Sequence, residues 1–185
     1  LPSTSDGQFV IYSNLDVRPS TSVNTYEDYW GTTVTSFDVL SPHTELQLTA
    51  TSLVEVRPRL TVGRDFTWEQ LGKVSRRTTS HVEQLGQTDR TRPLDDLVET
   101  ARGIVEETET PGEAASAIAR HVGEEMQYMS GVTHVHTNAH EAWAKRKGVC
   151  QDIAHVTIGA LRAVGIPARY VSGYLHPRPN AQIGE

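Results

Sequence analysis

The sequence contains a single cysteine and no apolar stretch approaching the roughly 18 residues of a membrane span, and both absences limit its function. One cysteine cannot form a disulfide within the chain. A lone free thiol fits a reducing compartment, where it is either a nucleophile or an inert buried side chain. The first residues also lack the basic start and apolar stretch of a signal peptide, so a cytoplasmic location is expected.

The chain has no excess of basic residues. With 17 Lys and Arg against 23 Asp and Glu, the net charge is −6. This charge argues against nucleic acid and an anionic membrane as partners. Repeats and low-complexity segments are absent from the sequence, and 185 residues suffice for one ordinary domain or two small ones with a real core.

The first third of the chain has the composition of β-strands. Residues 32–40 and 45–56 alternate apolar with polar side chains, which is typical of half-buried strands, and we expect them to pair antiparallel. Residues 9–12 and 22–26 read as shorter strands. These segments predict an N-terminal antiparallel β domain over residues 1–60. Residues 61–93 are expected to form a polar connecting segment with some helix.

After Pro93 the sequence has helical periodicity, and residues 94–185 are expected to form a second domain. Residues 94–105 place apolar side chains on one helical face. Thr110, Pro111 and Glu113 form the signature of a capping box that opens the next helix.

The end of the chain predicts two helices followed by a strand. Asn138 is expected to cap a short helix that Gly148 ends. A helix is then predicted over residues 151–164, stopped by the Gly165–Pro167 segment and packed against a strand over residues 168–174.

Cys150 stands at the first turn of this last helix. A helix N-terminus carries unpaired N–H groups and partial positive charge, which favour the thiolate and can stabilise an oxyanion. Gly148, two residues earlier, is expected to give a bulky acyl group room to approach.

The sequence around Cys150 resembles the core of the transglutaminase-like superfamily, and specifically its bacterial members described as cysteine proteases. The resemblance is carried by GVCQDIAH at residues 148–155 and by LRAVGIPARYVSGY at residues 161–174. The segments DYWG at residues 28–31 and SPHTEL at residues 41–46 resemble the β-rich region that precedes this core. The resemblance implies an α+β fold in which an antiparallel β domain precedes a papain-like core.

The resemblance implies a Cys-His-Asp triad with Cys150 as the nucleophile. In the family pattern, the histidine and the acid follow the strand that ends near Tyr174. Neither is found in this chain, so the core is expected to be truncated and the chain inactive alone. The resemblance also makes Tyr128 a possible donor to the oxyanion, with ordinary packing as the alternative for Tyr128 and for Trp143.

The other histidines offer weaker alternatives. His155 lies about 140° around the helix from Cys150, so a hydrogen-bonded structural role is expected. His134, His136 and His140 could form a zinc site with Cys150, but a helix capped at Asn138 would leave His136 outside it. We therefore expect neither a metal nor a cofactor.

The function expected from these features is cysteine hydrolysis of amide bonds, in a peptide or another amide-containing substrate. An acyltransferase and a noncatalytic binding or scaffolding module with the same fold are the alternatives. Arg162 and Arg169 are expected to pair with carboxylates such as Asp152. An exposed edge of the strand over residues 168–174 could pair with a second copy of the chain.

Overall fold

The computed structural model describes residues 1–5, 7–19, 22–57, 66–77, 79 and 81–173, with the side chains of residues 76 and 77 left out. The described residues form two compact units, over residues 1–57 and 66–172. Strands make up the first unit and helices most of the second, which confirms the predicted α+β class. Within the described residues, no helix has the length and apolar character needed to cross a membrane.

The first unit contains two antiparallel strand pairs. Strand β1 (Gln8–Arg18) pairs with β4 (Gln47–Val56), and β2 (Ser22–Glu27) pairs with β3 (Thr33–Asp38). The predicted strands exist, but the predicted pairing of residues 32–40 with residues 45–56 is wrong. Alternation determines which face a side chain occupies and does not determine which strand lies alongside.

The loop between β2 and β3 explains why these two strands pair with each other. The carboxylate of Asp28 accepts the N–H groups of Trp30 and Thr32, at 2.9 and 2.8 Å. Gly31 has a φ of 76°, which a glycine adopts without strain. This compact turn brings the ends of β2 and β3 together as a local hairpin.

The second unit is built around six helices and one short parallel strand pair. Strand β5 (Gln127–Tyr128) pairs with β6 (Lys147–Gly148). The helices are α1 (Trp68–Arg77), α2 (Val82–Leu85), α3 (Asp95–Glu106), α4 (Pro111–Glu125), α5 (Ala139–Lys145) and α6 (Cys150–Ala163).

The core of this unit lies where α3, α4 and α5 pack on α6. Its largest buried side chain is Trp143 of α5. The remaining buried core residues are Leu97, Ala101, Ile118, Val122, Met126, Ala139, Ala142, Val156 and Ala160. The helix that begins with the cysteine is therefore held by apolar contacts to three other helices.

Helix α4 begins as the sequence predicts. The Thr110 hydroxyl accepts the N–H of Glu113 at 3.2 Å, and the Glu113 carboxylate accepts the N–H of Thr110 at 3.2 Å. Pro111 occupies the first turn. The predicted capping box is confirmed.

Helix α6 packs closely on the segment that precedes α3. A Cβ added at Gly159 would lie 1.8 Å from the carbonyl oxygen of buried Thr91 and 3.3 Å from Cδ of Pro93. The Gln87 side chain donates to the Gly159 carbonyl at 2.8 Å. Residues 87–93 thus contribute directly to the packing around α6.

Two predicted local features are wrong. Helix α5 ends at Lys145 and is capped by Arg146, which adopts the left-handed conformation with a φ of 52°, and Gly148 lies beyond it in β6. Residues 168–173 form no strand, because none of the described residues lies beside them in a ladder. Tyr174 lies outside the described residues, and pairing of this segment with a second copy stays a prediction.

Candidate active site

Cys150 is the first residue of α6, and its side chain is exposed. This confirms the predicted position at a helix N-terminus. Val149 precedes the helix in an extended conformation, with a φ of −102° and a ψ of −179°. The exposed sulfur therefore stands where the chain turns from an extended segment into a helix.

The backbone at this turn leaves two N–H groups next to the sulfur. The N–H groups of Asp152 and Ile153 donate to the Val149 carbonyl, at 3.0 and 3.1 Å. The N–H groups of Cys150 and Gln151 have no acceptor among the described residues. Donors of this kind can stabilise negative charge that develops on a carbonyl oxygen attacked by the sulfur.

The short parallel pair β5–β6 connects this turn to the end of α4. The N–H of Gln127 donates to the backbone carbonyl of Arg146 at 2.9 Å, and the N–H of Met129 donates to the carbonyl of Gly148 at 2.8 Å. Tyr128 therefore lies opposite Gly148, two residues before the cysteine, and the residue is 65% exposed. The structure places Tyr128 beside the Cys150 turn; its role as an oxyanion donor stays a prediction.

Asp152 is a buried carboxylate beneath the same turn, with 1% of its surface exposed. Its Oδ2 accepts the N–H of Val149 at 2.8 Å and the hydroxyl of Thr133 at 2.7 Å. Its Oδ1 is buried and has no partner among the described residues.

The space beside Gly148 is occupied by this carboxylate. A Cβ at Gly148 would lie 2.6 Å from both Cβ and Oδ2 of Asp152. Gly148 is itself buried. The expectation that this glycine admits an acyl group is therefore wrong, because the missing side chain makes room for Asp152.

His155 lies on the inner part of α6 and does not hydrogen-bond to Cys150. The centroid of its ring lies 5.5 Å from that of Tyr170. Its Nδ1 is buried and has no hydrogen-bond partner among the described residues, so the expected hydrogen bond is not found at this nitrogen. Burial lowers the pKa of His155, the charge of Arg90 lowers it further, and the carboxylate of Asp152 opposes both.

His134 and His136 lie in the loop before α5, which Arg90 contacts, and His140 lies in α5. Arg90 donates to the carbonyl of Val135 and contacts Nδ1 of His136 at 3.3 Å. Asn138 accepts the N–H of Glu141 at 2.8 Å, so His136 lies outside α5, as predicted. In the part of the chain that the structure describes, no three metal-ligating side chains come together.

Trp143 is buried in the core, and its indole N–H is bound by Asp96. Its Nε1 donates to both carboxylate oxygens of Asp96, at 3.2 and 3.0 Å, and the Arg146 guanidinium lies 3.4 Å from its ring centroid. Burial opposes ionisation of Asp96, but hydrogen bonds from Trp143 and the Leu97 N–H, together with Arg146, lower its pKa.

The two arginines near the end of the described residues do not bind Asp152. Arg162 donates to the carbonyls of Ala168, at 2.9 and 2.6 Å, and of Gly86 at 2.7 Å. Arg169 is exposed and makes no ion pair with a described carboxylate. The expected pairing with Asp152 is wrong, because the guanidinium of Arg162 binds the backbone carbonyls of Ala168, after α6, and of Gly86, after α2.

Two parts of the chain match known families. Residues 98–184 match the transglutaminase-like superfamily, and residues 1–55 match the bacterial transglutaminase-like N-terminal region. The fold is similar to that of a crystal structure titled "a Putative Cysteine Protease from Cytophaga hutchinsonii", with a TM-score of 0.69 at 21% identity. That similarity covers 89% of this chain and 56% of the other.

The curated relatives are longer than this chain. An uncharacterised protein of Mycobacterium leprae is 36% identical over 184 residues, which cover 100% of this chain and 65% of the relative. Uncharacterised proteins of Mycobacterium bovis and Mycobacterium tuberculosis are 30% identical over 198 residues, covering 96% of this chain and 59% of each relative. The chain therefore has a transglutaminase-like core over residues 98–184, preceded by the bacterial transglutaminase-like N-terminal region over residues 1–55.

Proposed function

We propose that the protein is a cysteine hydrolase that cleaves amide bonds through an acyl-enzyme on Cys150. The observation that carries the proposal is the exposed sulfur at the first residue of α6, beside the free N–H groups of Cys150 and Gln151. The match of residues 98–184 to the transglutaminase-like superfamily supports the same chemistry.

In the proposed reaction, the Cys150 thiolate attacks the carbonyl carbon of the amide. A C–S bond forms, and the oxygen gains negative charge that the N–H groups of Cys150 and Gln151 stabilise. The C–N bond then breaks, and the amine leaves with a proton from a general acid. Water attacks the thioester, releases the carboxylic acid and restores the thiol. The substrate is a peptide or another amide-containing molecule.

The general acid and base is the part of this machinery that the described residues do not provide. No described histidine hydrogen-bonds to Cys150, and His155 faces Tyr170 instead. A thiolate can be alkylated or acylated without such a group, whereas expulsion of an amine needs a proton donor. We therefore expect residues 1–185 alone to carry a reactive thiol without amide turnover.

The test uses the natural-length gene product beside the 185-residue chain, each with a Cys150→Ala control. Iodoacetamide should label the 185-residue chain once, at Cys150, because no second cysteine is present. The natural-length protein should hydrolyse a peptide p-nitroanilide, and Cys150→Ala should reduce turnover by about three orders of magnitude or more.

The outcomes separate the alternatives. Turnover that survives Cys150→Ala, or a native Cys150 that iodoacetamide does not reach, would defeat the proposal. A folded natural-length protein with a reactive thiol and no turnover of any amide would favour a noncatalytic module. An added amine such as methylamine that captures the acyl group ahead of water would instead identify an acyltransferase.

A further inference from the structure

Asp152 is the most deeply buried ionisable group near the nucleophile, and the proposed reaction gives it no chemical step. A buried carboxylate is costly unless it is hydrogen-bonded, so its presence beneath the Cys150 turn needs a reason. Its Oδ2 has two donors from outside the helical hydrogen-bond pattern, one from Val149 and one from Thr133. Its burial is nearly complete, at 1% exposure.

The two donors come from different parts of the chain. Val149 is the residue immediately before the nucleophile, and Thr133 belongs to the loop between β5 and α5. One carboxylate oxygen therefore fastens the extended segment before α6 to a loop 19 residues upstream of Asp152. Because Oδ2 occupies the Val149 N–H, the free donors at the turn are those of Cys150 and Gln151.

Gly148 supplies the third component of this arrangement. A side chain there would place Cβ at 2.6 Å from Oδ2, inside any allowed contact, and would displace the carboxylate. The carbonyl of Gly148 is meanwhile held by the N–H of Met129 at 2.8 Å. The backbone before the cysteine is thus held by two hydrogen bonds, one to Met129 after β5 and one to Asp152.

We propose that Asp152 is a positioning residue for Cys150: by holding the Val149 N–H together with Thr133, in space that Gly148 leaves open, it aims the sulfur and the two free N–H groups at one acyl carbonyl. The proposal rests on the function proposed above and adds to it the residues that orient the nucleophile. Asp152 acts through the backbone and does not touch substrate.

The experiment measures single acylation of Cys150 by p-nitrophenyl acetate in the 185-residue chain. The thiolate attacks the ester carbonyl, a C–S bond forms, the C–O bond breaks and p-nitrophenolate leaves. This step needs no proton donor for the leaving group, so it can be measured whether or not the protein turns over amides. Cys150→Ser gives the background, and thermal unfolding followed by circular dichroism reports the folded fraction of every variant.

Four variants separate positioning from charge and from stability. Thr133→Val and Gly148→Ala keep the charge of Asp152 but disturb its hydrogen bonds, whereas Asp152→Asn keeps an oxygen acceptor and removes the charge. Asp152→Ala removes both. Asp96→Asn is the matched control, because the hydrogen bonds of Asp96 go to Trp143 and Arg146 and not to Val149 or Thr133.

Misplacement of a reacting group by about 1 Å can cost up to about a hundredfold in rate. We therefore expect the folded Asp152→Ala and Gly148→Ala proteins to acylate about tenfold or more slowly than wild type, and Thr133→Val to show a smaller reduction in the same direction. Asp152→Asn should recover much of the rate lost in Asp152→Ala. Asp96→Asn should acylate at the wild-type rate even if its unfolding temperature falls.

Two results would overturn the proposal. Folded Thr133→Val and Gly148→Ala proteins that acylate at the wild-type rate would show that the hydrogen bonds of Asp152 do not orient the nucleophile. An Asp152→Asn protein as impaired as Asp152→Ala, beside an unimpaired Thr133→Val, would show that charge acts rather than position. If Gly148→Ala and Asp152→Ala fail to fold, the comparison of Thr133→Val with Asp96→Asn decides the matter. If the natural-length wild-type protein does not hydrolyse the p-nitroanilide, that result would count against the hydrolase proposal and not against the positioning role of Asp152.

Discussion

Replacement of Gly159 by alanine should destabilise the protein, although alanine is the better helix former. In an unobstructed helix interior, Gly→Ala stabilises by about 1 kcal/mol. Here the new Cβ would lie 1.8 Å from the Thr91 carbonyl oxygen and 3.0 Å from its carbonyl carbon. Non-bonded heavy atoms prefer a separation of about 3.5 Å, so the new Cβ and the Thr91 carbonyl oxygen must move apart by roughly 1.7 Å. This movement requires a shift of the backbone, either of α6 or of the turn that contains Thr91.

Overpacking of a core typically costs about 1–3 kcal/mol and occasionally more. The obstacle at Gly159 is backbone that cannot change rotamer, and the Gln87 hydrogen bond to the Gly159 carbonyl would be disturbed as well. A clash with backbone places the cost at the upper end of this range, about 3 kcal/mol, and subtracting the helix-propensity gain of about 1 kcal/mol leaves a net loss of about 2 kcal/mol. For a chain of this size, that loss corresponds to a decrease of about 4–8 °C in melting temperature.

Gly103 provides the matched control, because it lies inside α3 and an added Cβ there meets nothing within 4 Å. Gly103→Ala should raise the melting temperature, while Gly159→Ala lowers it. Circular dichroism at 222 nm is the suitable signal, since the described helices all lie in residues 66–172. A Gly159→Ala protein as stable as wild type, or stabilised like Gly103→Ala, would refute the close packing of α6 on Thr91.

Two further predictions concern stability. The pKa of His155 is lowered, chiefly by burial, so the unfolded chain binds a proton at His155 more readily than the folded protein does. The free energy of unfolding should therefore fall as the pH drops through the ordinary histidine pKa towards the lowered one. Urea unfolding between pH 8 and 5 should show this fall in wild type and a smaller fall in His155→Gln, and equal pH dependence in the two proteins would contradict the prediction. Thr110→Ala should cost about 1 kcal/mol through loss of the capping box. Thr100→Ala, at a partly exposed position inside α3, should cost less, and equal changes in unfolding midpoint would contradict the capping role.

Local features were predictable from the sequence because their signals are local. The cap at Thr110 and the position of Cys150 at the start of α6 depend on residues within one helical turn. Gly165, with a φ of 80°, follows the end of α6 for the same reason. The helix start and the family resemblance together predict Cys150 as the nucleophile, and that role stays a prediction.

Features that depend on distant contacts were not predictable. The alternation of residues 32–40 identifies a strand but does not name its partner, and the partner proved to be β2. Asp152 gave a weak signal, as an acid near a helix start, but its second donor is Thr133, which no local pattern indicates. Gly148 was visible as a glycine, while the side chain that needs its space was not.

The segment between α2 and α3 has a consequence for proteolysis. Its polar, arginine-containing sequence looks like an exposed site for trypsin, which needs several residues in an extended conformation. Yet the N–H groups of Thr91 and Arg92 both donate to Thr88, and the carbonyl of Arg90 accepts the N–H of Ala139 at 2.9 Å. Thr91 is also buried against Gly159. Cleavage after Arg90 would therefore require this turn to detach from α6 first. The rate of trypsin cleavage there thus measures how often the contact between this turn and α6 opens.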